Sequence, residues 1–268
     1  MPTTHFIKLA TRYPQKRAII TGAGSGLGLA LTKLLLTDRW KILAIDLNIN
    51  ALHNIDATSL LIHQLDITNR DAFGKVIHTF CKEQKGLDVL FNNAGVGEGS
   101  LFQNYTLDNW DWIIGINLKS VIAGTHFVLP YFLEKNAGMI VNIASMAGIA
   151  NLPKMSPYNV TKAAVVSLSE TLAHELSKTE IQVKCITPSF FKSSVLQHSK
   201  GDAETLASAR KVVLGSKLSS KAAATIILQN LHTDQETLRF PFSANIFYYS
   251  RKYIPRLYKL VIRKLLVK

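Results

Sequence analysis

Short apolar runs alternate with longer amphipathic stretches along this chain. Runs of strand length occur at residues 18–20, 42–45, 60–62, 87–91, 139–143 and 181–186. Between them, apolar residues recur at helical spacing over about residues 28–37, 68–85, 107–133 and 156–178. Apolar strands separated by helices predict a parallel sheet that is covered on both faces. The expected fold class is α/β, with a single doubly wound parallel sheet and helices on both of its faces.

The first strand leads directly into a glycine-rich turn and then a helix. Residues 21–28 read TGAGSGLG, and the helical pattern LALTKLLL follows at once at residues 29–36. Glycine accepts positive φ and lets the main chain approach a ligand closely, and a helix N-terminus binds anions. A simple turn between core elements is the alternative, because a glycine pattern alone is a weak signal. The residues expected to contact a cofactor phosphate group here are Gly22, Ser25, Gly26, Leu27 and Gly28.

Polar residues follow the next two predicted strands, at the edge of the sheet where ligands of such folds bind. Asp46 stands eighteen residues beyond Gly28, where a carboxylate can accept hydrogen bonds from the ribose hydroxyls of an adenosine. It would repel a 2′-phosphate, and neither Ser25 nor Leu47 supplies a positive charge. NAD(H) is therefore favoured over NADP(H). Asp66 and Ile67, one strand further on, are expected to flank the adenine ring.

Five signals occur together in the chain. They are TGAGSGLG at residues 21–28, NNAG at residues 92–95, Asn117, Ser145 and YNVTK at residues 158–162. In this combination and order the chain resembles the short-chain dehydrogenase/reductases over about residues 15–235. The resemblance implies a Rossmann-type fold, a nicotinamide cofactor and a homodimer or homotetramer. It also implies cofactor contacts from Asn93, Ala94, Gly95, Tyr158, Lys162 and Pro188.

The candidate catalytic group begins with Tyr158 and Lys162, which are four residues apart on one helix face. A free tyrosine has a pKa near 10, and a nearby ammonium together with the positive nicotinamide ring favours the phenolate. Tyr158 is thus expected to act as general acid and base. The resemblance implies that Lys162 also holds the nicotinamide ribose, that Ser145 hydrogen-bonds the reacting oxygen and that Asn117 positions a water.

The expected substrate is lipophilic. Where the family usually has Pro-Gly, this chain has Pro188 followed by Ser189, Phe190 and Phe191, at the start of the substrate-covering loop. Residues 146–153 are also mostly apolar. An apolar pocket with few polar anchors favours a lipophilic secondary alcohol or its ketone, with Ser145, Tyr158, Phe190 and Phe191 as the substrate residues. The alternative, that the apolar residues only pack against the lid, remains open.

Two other functions remain open. One is an NADP(H)-dependent reductase of an acyl or other carbonyl substrate. The other is a catalytically silent protein that senses a dinucleotide, although a sensor has no need for the proton relay of Asn117, Ser145, Tyr158 and Lys162.

The amino-acid composition indicates the type of protein and its cellular compartment. The 268 residues are 47% apolar and 18% charged, which is typical of a globular chain. Cys81 and Cys185 form neither a disulfide framework nor a metal-binding spacing, so a reducing interior and no metal are expected. We find no secretory signal and no run of the roughly 20 apolar residues that a membrane-spanning helix needs. A cytoplasmic location, with some membrane association through the tail, is expected.

The positive charge is concentrated at the end of the chain. Of the 31 basic residues, seven lie in residues 251–268, where no acidic residue occurs. We therefore divide the chain into a domain over residues 1–250 and a basic amphipathic tail over residues 251–268. Such a helix suits peripheral contact with an anionic membrane or packing against a neighbouring subunit. Nucleic-acid binding ranks last, because the charge is local. The tail's apolar positions are Ile254, Leu257, Tyr258, Val261, Leu265 and Leu266.

Overall fold

The computed structural model describes residues 7–266. The strands are β1 (Arg17–Thr21), β2 (Lys41–Asp46), β3 (Leu60–Gln64), β4 (Val89–Asn92), β5 (Glu98–Gly99), β6 (Gly138–Ile143), β7 (Ile181–Pro188), β8 (Lys200–Gly201) and β9 (Thr237–Phe240). The helices are α1 (Ile7–Arg12), α2 (Gly26–Thr37), α3 (Asn50–His53), α4 (Arg70–Glu83), α5 (Leu107–Ile114), α6 (Ser120–Lys135), α7 (Ala147–Ala150), α8 (Ser156–Glu175), α9 (Ala203–Gly215), α10 (Ser220–Asn230), α11 (Phe242–Tyr253) and α12 (Pro255–Leu266). A 3₁₀ turn (Phe102–Asn104) precedes α5, and a π-helical segment (Gly115–Lys119) joins α5 to α6.

Seven parallel strands form the central sheet, in the order β3-β2-β1-β4-β6-β7-β9. The chain builds outward from β1 to β3 and then returns to the other side of β1 with β4. The crevice between β1 and β4 is therefore the topological switch point, where ligands of open α/β sheets bind. The predicted doubly wound Rossmann-type fold is confirmed, with β9 as a strand that the sequence analysis missed.

Helices cover both faces of the sheet, which is why the strands of its centre are apolar on both sides. Every residue of β1, β4 and β6 is buried. On one face, Leu31 of α2 and Ile227 of α10 pack into the core. On the other, Phe73 of α4 and Phe132 of α6 do the same. The covering layers leave only the strand ends accessible to a ligand.

The helix of residues 107–135 runs through α5, the π-helical segment and α6. Among the residues that the structure describes, this one helix is long and apolar enough to cross a membrane by length and composition. It packs on the sheet through Val121, Val128 and Phe132, all of which are buried. A core helix passes the same test of length and composition.

The last two helices bear on the proposed division of the chain. α11 runs through the boundary at residue 250, and α12 follows after Ile254. The division into residues 1–250 and 251–268 therefore remains a proposal. Residues 1–6, residues 267–268 and the side chains of Leu265 and Leu266 lie outside the described residues.

Candidate active site

A cavity of about 1240 Å³ opens at the carboxyl ends of the strands. Ligand pockets usually enclose about 300–1000 Å³, so this cavity has room for more than one small molecule. The structure brings most of the predicted site residues together in its wall. They are Gly22, Ser25, Gly26, Leu27, Asp46, Leu47, Asp66, Ile67, Asn93, Ala94, Gly95, Ser145, Tyr158, Lys162, Pro188, Phe190 and Phe191.

The glycine turn between β1 and α2 is shaped by close backbone packing. Gly22 and Gly26 have φ values of +66° and +50°, which favour glycine. A Cβ at Gly28 would lie 2.0 Å from the carbonyl oxygen of Gly22, so α2 can pack against the turn only with glycine there. Gly28 does not line the cavity, and its predicted cofactor contact stays a prediction.

The turn and the start of α2 fit the phosphates of a dinucleotide. Ser25 is the N-cap of α2, its side chain makes no capping bond, and no acidic residue occupies the first turn. The first N–H groups of a helix favour an anion at such a position. A Cβ at Gly26 would lie 3.1 Å from the backbone nitrogen of Ser194, so the loop after β7 closes over this turn.

Asp46, the last residue of β2, is held by two main-chain donors. Its Oδ2 accepts a hydrogen bond from Gly24 N at 2.7 Å, and its Oδ1 accepts one from Asn48 N at 2.9 Å. The carboxylate is thereby fixed in the cavity wall, and each oxygen retains acceptor capacity for a ribose hydroxyl. These residues therefore fit the adenosine end of a nicotinamide dinucleotide.

Asp66 and Asn93 use their side chains within the protein. Oδ1 of Asp66 accepts hydrogen bonds from the backbone N and the hydroxyl of Thr68, at 2.9 and 2.8 Å. Nδ2 of Asn93 donates to the carbonyl oxygens of Thr21 and Gly22, at 2.9 and 3.1 Å. Asn93 thus ties the end of β4 to the end of β1 and fixes the width of the switch-point crevice.

α8 carries Tyr158 and Lys162 into the cavity, and Lys162 is anchored to the sheet. Its Nζ donates a hydrogen bond to the carbonyl oxygen of Ile143 at 2.8 Å and lies 5.8 Å from the centroid of the Tyr158 ring. Burial lowers the pKa of Lys162 to about 8, and the interaction with Cys185 opposes that shift. The amine is a pre-positioned donor between the sheet and Tyr158.

The pKa of Tyr158 in the chain without a cofactor is determined mainly by burial. Burial raises the pKa of the phenol, and a hydrogen bond with the Ser145 side chain opposes the rise. In the chain without a cofactor, burial of the phenol therefore outweighs the effect of its neighbours, and the lowering expected beside Lys162 and a positive nicotinamide ring stays a prediction. Tyr158 and Ser145 nevertheless stand together as the sequence predicted.

Asn117 lies beneath the cavity, in the π-helical segment, and does not line the cavity wall. Its Oδ1 accepts from Val96 N and its Nδ2 donates to Val96 O, both at 2.9 Å. A Cβ at Gly95 would lie 3.3 Å from both Asn117 Oδ1 and Lys162 Nζ, so three predicted residues converge at one point. Its predicted role in positioning a water stays a prediction.

The substrate side of the cavity is mostly apolar, and its two predicted phenylalanines differ. Phe191 is 9% exposed and packs in the core, whereas Phe190 is 41% exposed. Sequence reasoning missed further lining residues from α5, α9, α11 and the loops. The amphipathic pattern of these helices was the only sequence signal for such residues. The pattern does not show which helices pack around the cavity, because they are far apart in the sequence. The missed residues include Trp112, Ile116, Met155, Leu196, Val212, Val213 and Phe247.

A family profile described as short chain dehydrogenase matches residues 16–204. The chain belongs to the short-chain dehydrogenase/reductase family. The resemblance and the enzyme class predicted from the motifs are confirmed, and the chain is an oxidoreductase.

Similar short-chain dehydrogenase/reductases differ in cofactor. The 3-oxoacyl-(acyl-carrier-protein) reductase of Thermotoga maritima is 31% identical over 81% of this chain and 90% of its own. A short-chain dehydrogenase/reductase of Burkholderia phymatum in complex with NAD is 27% identical, with a TM-score of 0.83 over 90% of this chain and 94% of the other. A serine dehydrogenase complexed with NADP⁺ is 25% identical, with a TM-score of 0.76 over 85% and 95% of the two chains.

Proposed function

We propose that this short-chain dehydrogenase/reductase interconverts a lipophilic secondary alcohol and its ketone with NAD(H). The observation that carries the proposal is the convergence of Ser145, Tyr158 and Lys162 in the wall of one cavity. That cavity also contains the carboxylate of Asp46 and an apolar side lined by Phe190. The cofactor, when bound, accepts or supplies the hydride at C4 of its nicotinamide.

The protein residues handle the proton and the orientation. Tyr158 accepts the hydroxyl proton when the alcohol is oxidised and donates a proton to the ketone oxygen when the ketone is reduced. Ser145 donates a hydrogen bond to the same oxygen and stabilises charge that develops there. Lys162 has three donors, of which Ile143 takes one, so the remaining donors are available for ribose hydroxyls.

The preference for NAD(H) rests on Asp46. Its carboxylate, anchored by Gly24 and Asn48, would repel the 2′-phosphate of NADP(H), which supports NAD(H) as the cofactor. An NADP(H)-dependent reductase of an acyl substrate is the second candidate, favoured by the similarity to the 3-oxoacyl-(acyl-carrier-protein) reductase. Members of the family typically oligomerise, and we propose a cytoplasmic homodimer or homotetramer.

The test mixes the purified chain with NAD⁺ or NADP⁺ and secondary alcohols of increasing chain length, and follows the absorbance of the reduced nicotinamide. We expect faster turnover with NAD⁺ and a kcat/KM that rises with chain length. Tyr158→Phe should lose about 10²–10⁴-fold in rate. Tyr131→Phe is the matched control, because Tyr131 bonds His78 away from the cavity. Equal turnover by the Tyr158 variant would refute the proposal, and binding of NADH without any turnover would favour the sensor.

A further inference from the structure

An exposed apolar stripe runs along α11. Phe242, Ile246, Tyr249 and Tyr253 recur at helical spacing and therefore share one face of the helix. Their exposed fractions are 79%, 55%, 48% and 67%. Contiguous apolar residues at such exposure mark a surface that binds something.

α12 extends this apolar surface beyond the bend at Ile254. Leu257, Leu260 and Val261 lie on adjacent turns and are 55%, 54% and 40% exposed. Tyr258 points the other way, because its hydroxyl donates a hydrogen bond to the carbonyl oxygen of Ala150 at 2.7 Å. That bond holds α12 against α7 and leaves the leucines outward.

The charges around the stripe are all positive. No acidic residue occurs after Glu236, so α11 and α12 carry basic residues alone. A second copy docked by the same surface would bring these charges together across a two-fold axis, which is unfavourable. Anionic lipid headgroups complement them, while the apolar stripe enters the acyl boundary. The basic residues on the exposed side of the two helices are Lys252, Arg256, Lys259, Arg263 and Lys264, whereas Arg251 lies against Asn151.

We propose that α11 and α12 form a docking surface for anionic lipid bilayers. This lipid-docking surface consists of the exposed apolar side chains of both helices and the five basic residues beside them, Lys252, Arg256, Lys259, Arg263 and Lys264. It widens the sequence-based expectation, which considered only residues 251–268, because three of its seven exposed apolar side chains, Phe242, Ile246 and Tyr249, precede residue 251.

The helices that carry the lipid-docking surface also reach the cavity. Phe247 of α11 lines the cavity wall, and so does Ala150, whose carbonyl oxygen receives the bond from Tyr258. Docking through these helices would therefore bring the cavity near a bilayer in which a lipophilic substrate dissolves. This last step rests on the proposed function, whereas bilayer binding does not.

The test is co-sedimentation of the full chain, without substrate, with vesicles of phosphatidylcholine alone or mixed with phosphatidylserine. We expect binding to the mixed vesicles only, weakened by added salt. Each basic residue near an anionic surface contributes about a fivefold gain, so neutralising three should weaken binding on the order of 100-fold. The variant combines Arg256→Gln, Lys259→Gln and Arg263→Gln, and its charge-matched control combines Lys75→Gln, Lys82→Gln and Lys178→Gln at exposed sites.

A second pair of variants separates lipid insertion from attraction of charge alone. Phe242→Ala with Ile246→Ala should weaken binding to the mixed vesicles at least about tenfold. Leu107→Ala with Leu133→Ala, at exposed apolar positions elsewhere, should not. Equal sedimentation with both kinds of vesicle, or equal binding by a variant and its control, would overturn the proposal.

Two further outcomes assign the surface to another partner. A loss of self-association in the Phe242 and Ile246 variant, measured without vesicles, would make this face an interface between copies of the chain. Binding of duplex DNA that competes with the vesicles and ignores the apolar variant would indicate a purely electrostatic patch. Either result would overturn the lipid proposal. The proposed function would still be tested separately, by turnover of a water-soluble alcohol.

Discussion

The amine of Lys162 and the carbonyl oxygen of Ile143 are joined by a hydrogen bond of 2.8 Å. The bond connects the middle of α8 to the last residue of β6, so a helix side chain is fixed relative to the edge of the sheet. Lys162 is 3% exposed, and burial lowers its pKa to about 8. A donor held in this way requires little reorganisation when a ligand arrives.

Lys162→Met should reduce kcat/KM on the order of 10²–10³-fold, because the site loses a pre-positioned charged donor. NADH should also bind more weakly, which a titration of nicotinamide fluorescence measures. Lys178→Met, at an exposed position beyond α8, is the matched control and should keep both values. Unchanged NADH affinity in the Lys162 variant would contradict its role toward the ribose.

Asp46→Asn should raise the ratio of kcat/KM for NADP⁺ over NAD⁺ about tenfold, which corresponds to about 1.4 kcal/mol. The substitution removes the negative charge and keeps an acceptor for a main-chain donor, so the turn at Gly24 is preserved. Steady-state rates with each cofactor measure the ratio. Asp66→Asn removes the other predicted cofactor carboxylate and should leave the ratio unchanged; the same ratio in both variants would refute the cofactor assignment.

The order of the elements was predictable because the central strands are buried on both faces. Each is a run of apolar residues, and helices with a clear period separate them. The parallel arrangement then brings all strand ends to one edge, which is why residues as distant as Asp46 and Pro188 line the same cavity.

Elements at the margins were not predictable in this way. Residues before Gln15 lack a visible period, yet α1 forms there and is held by the burial of Leu9 and Tyr13. β9 has four residues, of which only Phe240 is buried, so it resembles a loop in sequence. Both depend on contacts with the rest of the core, which a local pattern does not contain.

The electrostatics of the site depend on burial even more strongly. The spacing of Tyr158 and Lys162 predicts their proximity but not how deeply both are buried, and it is this burial that raises the pKa of Tyr158 in the chain without a cofactor. The contact between Tyr258 and Ala150 spans 108 residues and leaves no signal in the sequence.

Glu98 is an unusual carboxyl beside the cavity. It lies in β5, which pairs with β8. This pairing connects the segment after β4 to the segment after β7. The side chain is 2% exposed, and neither carboxyl oxygen has a hydrogen-bond partner among the described residues. Burial raises the pKa of Glu98 to about 7, and Lys200 of β8 opposes the shift.

The unfolding free energy of Glu98→Gln, relative to that of the parent chain, should therefore be higher at pH 8 than at pH 5. Between about pH 4.5 and 7 the folded chain keeps this proton and the unfolded chain has lost it, so stability falls as pH rises through that window. The glutamine side chain of the variant does not ionise. Its unfolding free energy relative to the parent should therefore rise by on the order of 1–3 kcal/mol between pH 5 and pH 8. Urea unfolding at both pH values measures this.

The control for Glu98 is Glu204→Gln, at an exposed position in the first turn of α9. Its difference from the parent chain should be the same at both pH values. If the advantage of the Glu98 variant is also independent of pH, the carboxyl does not titrate between the folded and unfolded states as inferred.

Asp88→Asn should lower the free energy of unfolding by about 3–5 kcal/mol, because it breaks a buried ion pair at the amino edge of the sheet. The Asp88 side chain is fully buried and accepts hydrogen bonds from Arg17 at 2.9 Å and Lys135 at 2.7 Å. Burial raises the pKa of Asp88, but these bonds outweigh it and the net shift is downward, so the stabilisation is lost as pH falls through that lowered pKa.

The matched control is Asp38→Asn, whose partly exposed pair with Lys16 at 3.2 Å should cost about 1 kcal/mol. Urea unfolding at neutral pH compares the two, and equal losses would show that the pairing at Asp88 contributes no more than a surface contact.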